Sequence, residues 1–384
     1  MQGFAGAFRA RARAQLAWRH SRLEKDSTVT HEAGKAAQVQ RPAVSVIMSV
    51  FNGEAYLESA LRSILNQSVR EFEFVIVDDG SKDRTAQILA AYAAADERIR
   101  LISRPNKGLI ASLNEAASVS KAPFLARMDG DDVAHPKRFE AQLAEFERRP
   151  ELVALGTQIN VIDRRGGQSG KEQRFPVGAD EVAANYPNGG PFIAHPTLMM
   201  RTDAFRQVGG YRAPFVAAED LDLLYRLCRI GQIDNLREAL LDYRVHGKNI
   251  SIMGGYKQML ARVVLIELVE EHNLTGIDHL SRLTGPVNLG TIERDLAIPN
   301  LRERLVNRLV NFSFAYNPHV TGSSEGQALI IERFVALTVA GDPASLSVRH
   351  NIFWTTVKSL IRSRQWAWLI RFLRDIVAHR TRSA

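Results

Sequence analysis

Short apolar runs alternate with amphipathic segments between residues 43 and 128. Continuous β-branched, apolar runs are typical of strands buried in a sheet, and apolar residues spaced three and four apart are typical of helices. The runs predict strands at residues 44–50, 72–77, 99–102 and 123–128, and the spacing predicts helices at 55–67, 85–95 and 108–119. Strands and helices that alternate in units of about 30 residues indicate an α/β fold with a mainly parallel sheet.

The pattern is less regular beyond residue 173. A loop-rich stretch leads to a predicted strand at 196–200 and to a helix that begins near Glu219. The rest of the chain shows helical spacing only. We therefore predict a basic N-terminal helix and linker at 1–41, a catalytic domain at 42–250, and an all-helical C-terminal extension at 251–384 with a basic amphipathic end.

The composition is that of a soluble globular protein, with 384 residues of which 45% are hydrophobic and 24% charged. Cys228 is the only cysteine, which excludes an internal disulfide and a zinc site of several thiolates. A reducing cytoplasm suits this composition. No apolar segment approaches the roughly 20 residues that span a bilayer, and no charged leader precedes an apolar run at the start. We expect a cytoplasmic protein that neither crosses the membrane nor is exported.

The net charge of +8 comes mainly from basic residues near the two ends of the chain. Such an excess favours an acidic partner, but the chain lacks any nucleic-acid-binding motif, so we expect no nucleic-acid partner. In residues 352–377, apolar side chains recur at helical spacing with arginines between them. A basic amphipathic helix of this kind can lie in a membrane interface; the alternative is an ordinary helix packed on the catalytic domain. Peripheral contact with the inner face of the membrane is therefore a hypothesis.

Three carboxylates, Asp129, Asp131 and Asp132, lie within four residues directly after a predicted strand. Ligands bind at the carboxyl ends of the strands in sheets of this kind. Clustered carboxylates repel one another unless a cation neutralises them or water solvates them, and Mg²⁺ and Mn²⁺ favour carboxylate oxygens. The cluster is a candidate site for Mg²⁺ or Mn²⁺ held against a diphosphate; the alternative is a solvated acidic turn.

A second acidic pair, Asp78 and Asp79, follows another predicted strand. A carboxylate at this position can accept hydrogen bonds from a base or a ribose. The alternative is structural, because Ser81 or Asp83 can cap the helix that begins near Thr85.

Glu219 and Asp220 open a predicted helix. One of them can act as a general base on an acceptor hydroxyl; the alternative is that the helix dipole favours acids in a first turn. His195 and His246 are single histidines in loop-like segments. Each is a candidate metal ligand or phosphate contact, with an ordinary surface or core histidine as the alternative.

Three nucleotide-binding signatures are absent from the sequence. The glycine-rich segment 166–171 has the wrong glycine spacing for a P-loop, and Glu172 follows it where Ser or Thr is required. No Gly-x-Gly-x-x-Gly follows the first strand, which argues against a dehydrogenase. A sugar nucleotidyltransferase is expected to carry a glycine-rich loop with Arg and Lys there, whereas this chain has Phe-Asn-Gly-Glu-Ala at 51–55.

Taken in order, the motifs resemble those of the family 2 glycosyltransferases with the GT-A fold. The matching segments are Ser45–Asn52, Val77–Thr85, Asn106–Leu109, Ala126–Asp132, His195–Thr197, Gly209–Arg212, Glu219–Asp220 and Tyr243–His246. One such match is weak, but the ordered set across residues 43–250 is highly specific. The resemblance implies a Rossmann-like, mainly parallel sheet flanked by helices and an inverting enzyme that depends on a nucleotide sugar.

The resemblance also implies which residues bind the donor. The donor-binding positions are Phe51, Asn52, Asp78, Asp79, Asn106, Arg127, Asp129 and Asp131. The metal-binding positions are Asp129, Asp131 and His246, with Asp132 in support. Arg127 is assigned only because it precedes the acidic cluster, where its charge would lie near the phosphates.

On the acceptor side, Asp220 matches the catalytic base, which deprotonates the acceptor hydroxyl for direct attack at the anomeric carbon. A single displacement inverts the configuration of that carbon. Glu219 is expected to orient the acceptor or the base, and His195 to line the acceptor side. The chain departs from the family at Leu113, because many relatives carry arginine in an Ala-Arg-Asn stretch there. Any donor contact of that arginine cannot be carried over.

We therefore expect an inverting glycosyltransferase that moves a sugar from a nucleotide-diphosphate donor to a glycan or lipid-linked acceptor. The expected pathway is the biosynthesis of a surface polysaccharide such as capsule, exopolysaccharide or O-antigen. One alternative is a sugar nucleotidyltransferase, and another is a catalytically inactive, membrane-associated scaffold of the same fold. The intact acids Asp131 and Asp220 argue against the scaffold.

Overall fold

The computed structural model describes residues 41–185, 192–216, 218–246 and 255–316, together with residues 370 and 374. Apart from residue 41, the predicted N-terminal helix and linker lie outside the described residues. The same holds for nearly all of the predicted basic amphipathic segment at 352–377. Among the described helices, none combines the length and the apolar character needed to cross a membrane.

One mixed sheet contains the nine strands found in the described part of the chain. They are β1 Val44–Val50, β2 Phe72–Asp78, β3 Ile99–Ser103, β4 Phe124–Met128, β5 Val133–Ala134, β6 Leu152–Ile162, β7 Gln168–Gln173, β8 Met199–Arg201 and β9 Gln232–Arg244. The strand order is β3-β2-β1-β4-β8-β6-β9-β5, and β7 pairs with β6. Pairing is parallel from β3 to β4 and between β6 and β9, whereas β5, β7 and β8 run antiparallel to their neighbours. The predicted mainly parallel sheet is confirmed.

Helices cover both faces of the sheet. They are α1 Leu57–Leu65, α2 Thr85–Ala95, α3 Leu109–Val119, α4 Arg138–Arg148, α5 Ala179–Asn185, α6 Thr202–Gln207 and α7 Glu219–Cys228. On β1, Val46 and Met48 belong to a core shared with α1, α2 and α4, while Ile47 belongs to a core shared with α3, α6 and α7. A strand buried on both faces is expected to be apolar without alternation, which explains the sequence of β1.

Beyond residue 254 the described chain is helical, as predicted. It forms α8 Gly255–Thr275, a 3₁₀ turn His279–Arg282, α9 Leu289–Asp295 and α10 Leu301–Tyr316. A third apolar core joins Val264 and Leu268 of α8 to Tyr225 of α7 and to Phe215 just before it. The extension therefore shares a core with the helix that begins with Glu219 and Asp220. The predicted boundary at residue 250 lies outside the described residues and stays a prediction.

Candidate active site

Three loops that carry predicted site residues leave the sheet at the same edge. In the parallel register, β1 pairs with β2 through its last residue, Val50, and with β4 through Met48. The segments at the ends of these strands carry the pair Phe51 and Asn52, the pair Asp78 and Asp79, and the acidic cluster at 129–132. They lie side by side at the carboxyl edge, where ligands bind in open α/β sheets.

The loop after β1 is tied to the loop after β2. The N–H of Asn52 donates to Ser81 Oγ (2.9 Å), and the N–H of Lys82 donates to Asn52 Oδ1 (2.8 Å). Asn52 adopts a left-handed backbone with φ of 52°, which asparagine tolerates better than most residues. Phe51 beside it is 50% exposed. An aromatic ring is thus open to solvent where a nucleoside contact is predicted.

Asp79 is nearly fully buried and accepts three donors. Its carboxylate accepts the N–H groups of Lys107 (2.8 Å) and Gly108 (2.9 Å) and forms an ion pair with Arg104. Gly80, next in the chain, has φ of +80°, and a Cβ there would lie 2.8 Å from the backbone nitrogen of Asn106. The structure therefore shows Asp79 fixing the loop that carries Asn106, and its predicted nucleoside contact stays a prediction.

Other polar groups of the loop between β2 and α2 make hydrogen bonds within that loop and with the start of α2. Asp78 Oδ1 accepts the N–H of Ser81 (3.0 Å), and Asp83 Oδ1 accepts the N–H of Thr85 (3.0 Å). The N-cap position is Arg84, without a side-chain cap bond, so the N-cap predicted for Ser81 or Asp83 is wrong, although Asp83 accepts the first N–H of α2. Ser81 instead accepts from the loop after β1, so the structural and the ligand-binding interpretations of this segment remain compatible.

The acidic cluster brings three carboxylates together. Asp129, Asp131 and Asp132 each place a carboxylate oxygen within 4.8 Å of the others. Asp132 is fully buried; its Oδ1 accepts the N–H of Arg244 (2.8 Å), and its Oδ2 has no hydrogen-bond partner within the described part of the protein. Burial and the neighbouring carboxylates raise the pKa of Asp132 well above its ordinary value. A hard divalent cation would satisfy the orphaned oxygen and relieve the repulsion, so these residues fit the predicted Mg²⁺ or Mn²⁺.

Arg127 places a positive charge inside this cluster. It is 4% exposed and forms an ion pair with Asp129. Behind it lies Arg138, fully buried, which donates to the carbonyl oxygen of Arg127 (2.9 Å) and to Gln142 Oε1 (3.2 Å). Burial and the charge of Arg127 lower the pKa of Arg138 to about 9. Two arginines thus offset the acids electrostatically, while a contact of Arg127 with the donor stays a prediction.

His246 lies against the acidic cluster, as predicted. Its Nε2 is 2.9 Å from Asp131 Oδ2, and its ring stacks on Tyr56 with centroids 4.8 Å apart. Arg244 covers the Tyr56 ring at 4.8 Å and donates from Nε to the carbonyl oxygen of Asp131 (2.8 Å). The end of β9 therefore brings a histidine to the acids that follow β4.

Glu219 and Asp220 form the first turn of α7. The N–H of Leu221 donates to Asp220 Oδ1 (2.8 Å). Burial and the charge of Asp220 raise the pKa of Glu219 to about 8, and the Asp129 charge acts in the same direction. Burial also raises the pKa of Asp220, opposed by the charge of Arg127. The acids of α7 and those that follow β4 therefore share one electrostatic site centred on Arg127.

A buried carboxylate holds α7 in place. Asp222 is fully buried, and its Oδ1 and Oδ2 accept Nε of Arg212 (3.0 and 3.1 Å). Its Oδ2 also accepts Nη2 of Arg226 (2.6 Å), and Arg212 contacts Asp278 of the helical extension (3.2 Å). Partners on both sides compensate the buried charge, so the predicted base stands on a fixed helix.

His195 begins a 3₁₀ turn, His195–Thr197, on the side of Glu219. Its Nε2 is 2.8 Å from the hydroxyl of Tyr211, and its Nδ1 is 4.0 Å from Glu219 Oε1. Burial and the charge of Arg127 lower the pKa of His195 well below its ordinary value. The structure thus places His195 beside Glu219 of α7, and its predicted role on the acceptor side stays a prediction.

We expect the metal-free protein to lose stability as the pH rises from about 4.5 to about 8, partly because of Glu219. The ordinary pKa of this carboxyl is 4.5 and its value in the folded chain is about 8. Over that range the unfolded chain releases a proton that the folded chain keeps, so the free energy of unfolding falls with pH. Urea unfolding in EDTA at pH 5 and pH 7.5 measures the slope. Glu219→Gln should show a flatter dependence, and parallel curves for the two proteins would contradict the raised pKa.

Four residues that complete the site were not assigned from the sequence: Tyr56, Arg104, Arg138 and Tyr211. Tyr211 lies in the matched segment Gly209–Arg212. The motif therefore pointed to this position, but it did not indicate what the tyrosine does. Tyr56 and Arg104 offer no local signal, because they contact groups distant in the chain. Arg138 offers none because nothing in the sequence marks its side chain as buried.

Known proteins with similar sequences indicate the family of this chain. A family model described as glycosyl transferase family 2 matches residues 45–209. WbnJ of Escherichia coli, named an O-antigen biosynthesis glycosyltransferase, is 35% identical over 210 residues, which cover 54% of this chain and 81% of WbnJ. EpsE of Bacillus subtilis (strain 168) is 37% identical over 214 residues, which cover 53% of this chain and 73% of EpsE.

The fold is similar to that of a solved structure as well. The crystal structure of S. aureus TarS 1-349 in complex with UDP-GlcNAc matches with a TM-score of 0.51 and 17% identity, over 84% of this chain and 91% of that one. This similarity of fold covers a larger part of the chain than the family model does. The chain therefore belongs to glycosyl transferase family 2, and it is a glycosyltransferase.

Proposed function

We propose that this glycosyltransferase is metal-dependent and inverting, and that it moves a sugar from a nucleotide-diphosphate donor to a glycan or lipid-linked acceptor. The observation that carries the proposal is the shared site around Arg127. Asp129 pairs with Arg127. The charge of Arg127 lowers the pKa of both Glu219 and Asp220. Acids from two distant parts of the chain thus face one buried cation at the ligand-binding edge of the sheet.

Asp129, Asp131 and His246 would hold the metal ion, with Asp132 as a further oxygen donor. The orphaned Asp132 Oδ2 supports this assignment. When bound, Mg²⁺ or Mn²⁺ neutralises negative charge on the diphosphate as it leaves. The exposed Phe51, with Asn52 and Asn106 at the rim of the same edge, would bind the nucleoside.

Asp220 would act as the general base. The oxygen of the acceptor hydroxyl attacks the anomeric carbon, the bond from that carbon to the diphosphate oxygen breaks, and the hydroxyl proton passes to the Asp220 carboxylate. The base must be ionised to accept that proton. The charges of Arg127 and Arg262 favour the ionised form against burial, and Arg262 belongs to α8, so the helical extension takes part in tuning the base.

A role in surface-polysaccharide biosynthesis is supported by WbnJ, whose name assigns it to O-antigen biosynthesis. We include a cytoplasmic location with peripheral membrane contact in the proposal because of the basic ends of the chain. Apart from residues 370 and 374, both basic ends lie outside the described residues, so this contact rests on the sequence alone.

A panel of UDP-, GDP- and dTDP-sugars, each with Mn²⁺, tests the proposal through release of the nucleoside diphosphate. We expect release from one nucleotide class, abolition by EDTA, and recovery on adding back Mn²⁺. A sugar nucleotidyltransferase would instead release pyrophosphate from a nucleoside triphosphate and a sugar 1-phosphate. Absence of turnover and of nucleotide binding across the whole panel would favour the scaffold.

A further inference from the structure

We propose that Asn114, Tyr211 and His195 form a positioning chain that sets the orientation of Glu219 beside the base Asp220. This inference rests on the proposed function, because it gives Glu219 its place on the acceptor side. It adds Asn114 and Tyr211 to His195, and the contacts that link these three residues involve neither the metal-binding acids nor the loops of the nucleoside side. Each link of the chain is a contact between side chains or backbone groups of the described residues.

The first link fixes the backbone of Tyr211. Asn114 Nδ2 donates to the carbonyl oxygen of Tyr211 (2.8 Å), and the N–H of Tyr211 donates to Asn114 Oδ1 (2.9 Å). One amide side chain on α3 thereby satisfies both backbone groups of a residue 97 positions away. The preceding Gly210 has φ of +68°, and a Cβ there would lie 2.7 Å from Asn114 Oδ1. The glycine therefore lets the turn approach the amide.

The second link is between the Tyr211 hydroxyl and His195. Tyr211 is 3% exposed, and within the described part of the protein its hydroxyl contacts Nε2 of His195 (2.8 Å) and no other partner. Its ring meets the rings of His195 and Phe205 edge to face, with both centroid distances 5.6 Å. Burial raises the pKa of the phenol and lowers that of the imidazole. A protonated phenol thus faces a neutral imidazole.

These protonation states decide the tautomer of His195. A buried hydroxyl with a single acceptor in reach donates to it, so Nε2 is the unprotonated nitrogen. A neutral imidazole carries one proton, which must then sit on Nδ1. That nitrogen is the one 4.0 Å from Glu219 Oε1. The distance is longer than a hydrogen bond, so the Nδ1–H acts on the Glu219 carboxyl as an oriented dipole.

Loss of the positioning chain is expected to impair transfer to the acceptor without impairing donor binding. Glu219 precedes Asp220 in the same helical turn, so a disordered Glu219 would misalign the acceptor hydroxyl relative to the base. Misplacement by about 1 Å can cost roughly a hundredfold in rate. Donor binding depends on the acidic cluster and the loops after β1 and β2, and none of these contacts involves the positioning chain.

The tautomer is measured directly by long-range ¹H–¹⁵N correlation spectra of the full-length protein labelled with ¹⁵N-histidine. His195→Gln assigns the resonances of His195. We expect an unprotonated Nε2 and a protonated Nδ1 in the wild type, and loss of this single tautomer in Tyr211→Phe. Tyr92→Phe is the matched control, because it removes a hydroxyl that contacts the surface residue Arg62. A protonated Nε2 in the wild type would overturn the proposal, and so would a tautomer unchanged by Tyr211→Phe.

A second readout uses the donor that turns over in the panel. Tyr211→Phe should lower transfer to the acceptor by roughly ten- to a hundredfold and leave binding of the nucleoside diphosphate with Mn²⁺ within about twofold of the wild type. Equal losses in binding and transfer would overturn a positioning role. If no donor turns over, the proposed function fails, whereas the spectra still decide whether the positioning chain exists.

Discussion

Replacing Asp220 with asparagine is expected to lower the transfer rate by roughly a hundred- to ten-thousandfold, the range that a positioned general base contributes. The amide has the shape of the carboxylate but cannot accept the acceptor proton. Its oxygen can still accept the N–H of Leu221, as Oδ1 does now at 2.8 Å. The fold and the metal-dependent binding of nucleoside diphosphate should therefore stay close to the wild type, so that kcat falls while binding measured by calorimetry is kept.

Asp203 offers a matched control for this substitution. It also lies in the first turn of a helix, α6, and its Oδ1 accepts the N–H of the next residue, Ala204 (2.7 Å). Asp203→Asn changes the same atoms in the same local setting, away from the shared site around Arg127, and should leave transfer unchanged. An Asp220→Asn enzyme within a few-fold of the wild-type rate would place the base elsewhere.

Asp131→Ala is expected to remove metal-dependent donor binding. The variant loses one of the three clustered oxygens and the partner of His246. Outer-shell partners of a metal typically contribute about 10- to 100-fold to its affinity, and the loss of a direct ligand should exceed this. The metal-free protein should not be destabilised, because the charge of Asp131 is one cause of the raised pKa of Asp132. Mn²⁺ titration followed by electron paramagnetic resonance, with and without nucleoside diphosphate, measures the effect.

Asp180→Ala serves as the control for Asp131→Ala, since Asp180 is an exposed acid at the start of α5. It should bind Mn²⁺ as the wild type does. If Asp131→Ala keeps the wild-type affinity for Mn²⁺, the three carboxylates are a solvated acidic turn rather than a metal site.

The first half of the fold could be predicted because most strands there, namely β1, β2 and β4, are buried on both faces. Runs such as Val44–Val50 are apolar except for Ser45 and Ser49 and end at polar turns, and the structure places β1 at those bounds. β6 and β9 were not predicted, because buried polar residues interrupt them. Gln158 of β6 donates to two carbonyl oxygens, and Asn235 of β9 donates to those of Pro176 and Phe192. Only the assembled sheet supplies these partners, so the local pattern carries no strand signal.

The site divides in the same way. Carboxylates placed just after apolar strands could be predicted, since the carboxyl ends of parallel strands meet at one edge. The polar and positively charged residues that contact these carboxylates could not be predicted. Arg104 reaches Asp79 across 25 positions, and Asn114 reaches Tyr211 across 97. Arg138 is a buried arginine of the amphipathic helix α4. The sequence alone does not distinguish it from an arginine on the solvent-facing side of such a helix.

Anomalous diffraction from crystals grown with Mn²⁺ and the nucleoside diphosphate released in the donor panel would locate the ion. We expect one manganese peak against the carboxylates of Asp129, Asp131 and Asp132 and the ring of His246, next to the diphosphate, with Asp220 facing the same cleft. A manganese ion bound away from these acids, or a diphosphate on another face of the molecule, would show that the carboxylates after β4 and those of α7 do not serve one reaction.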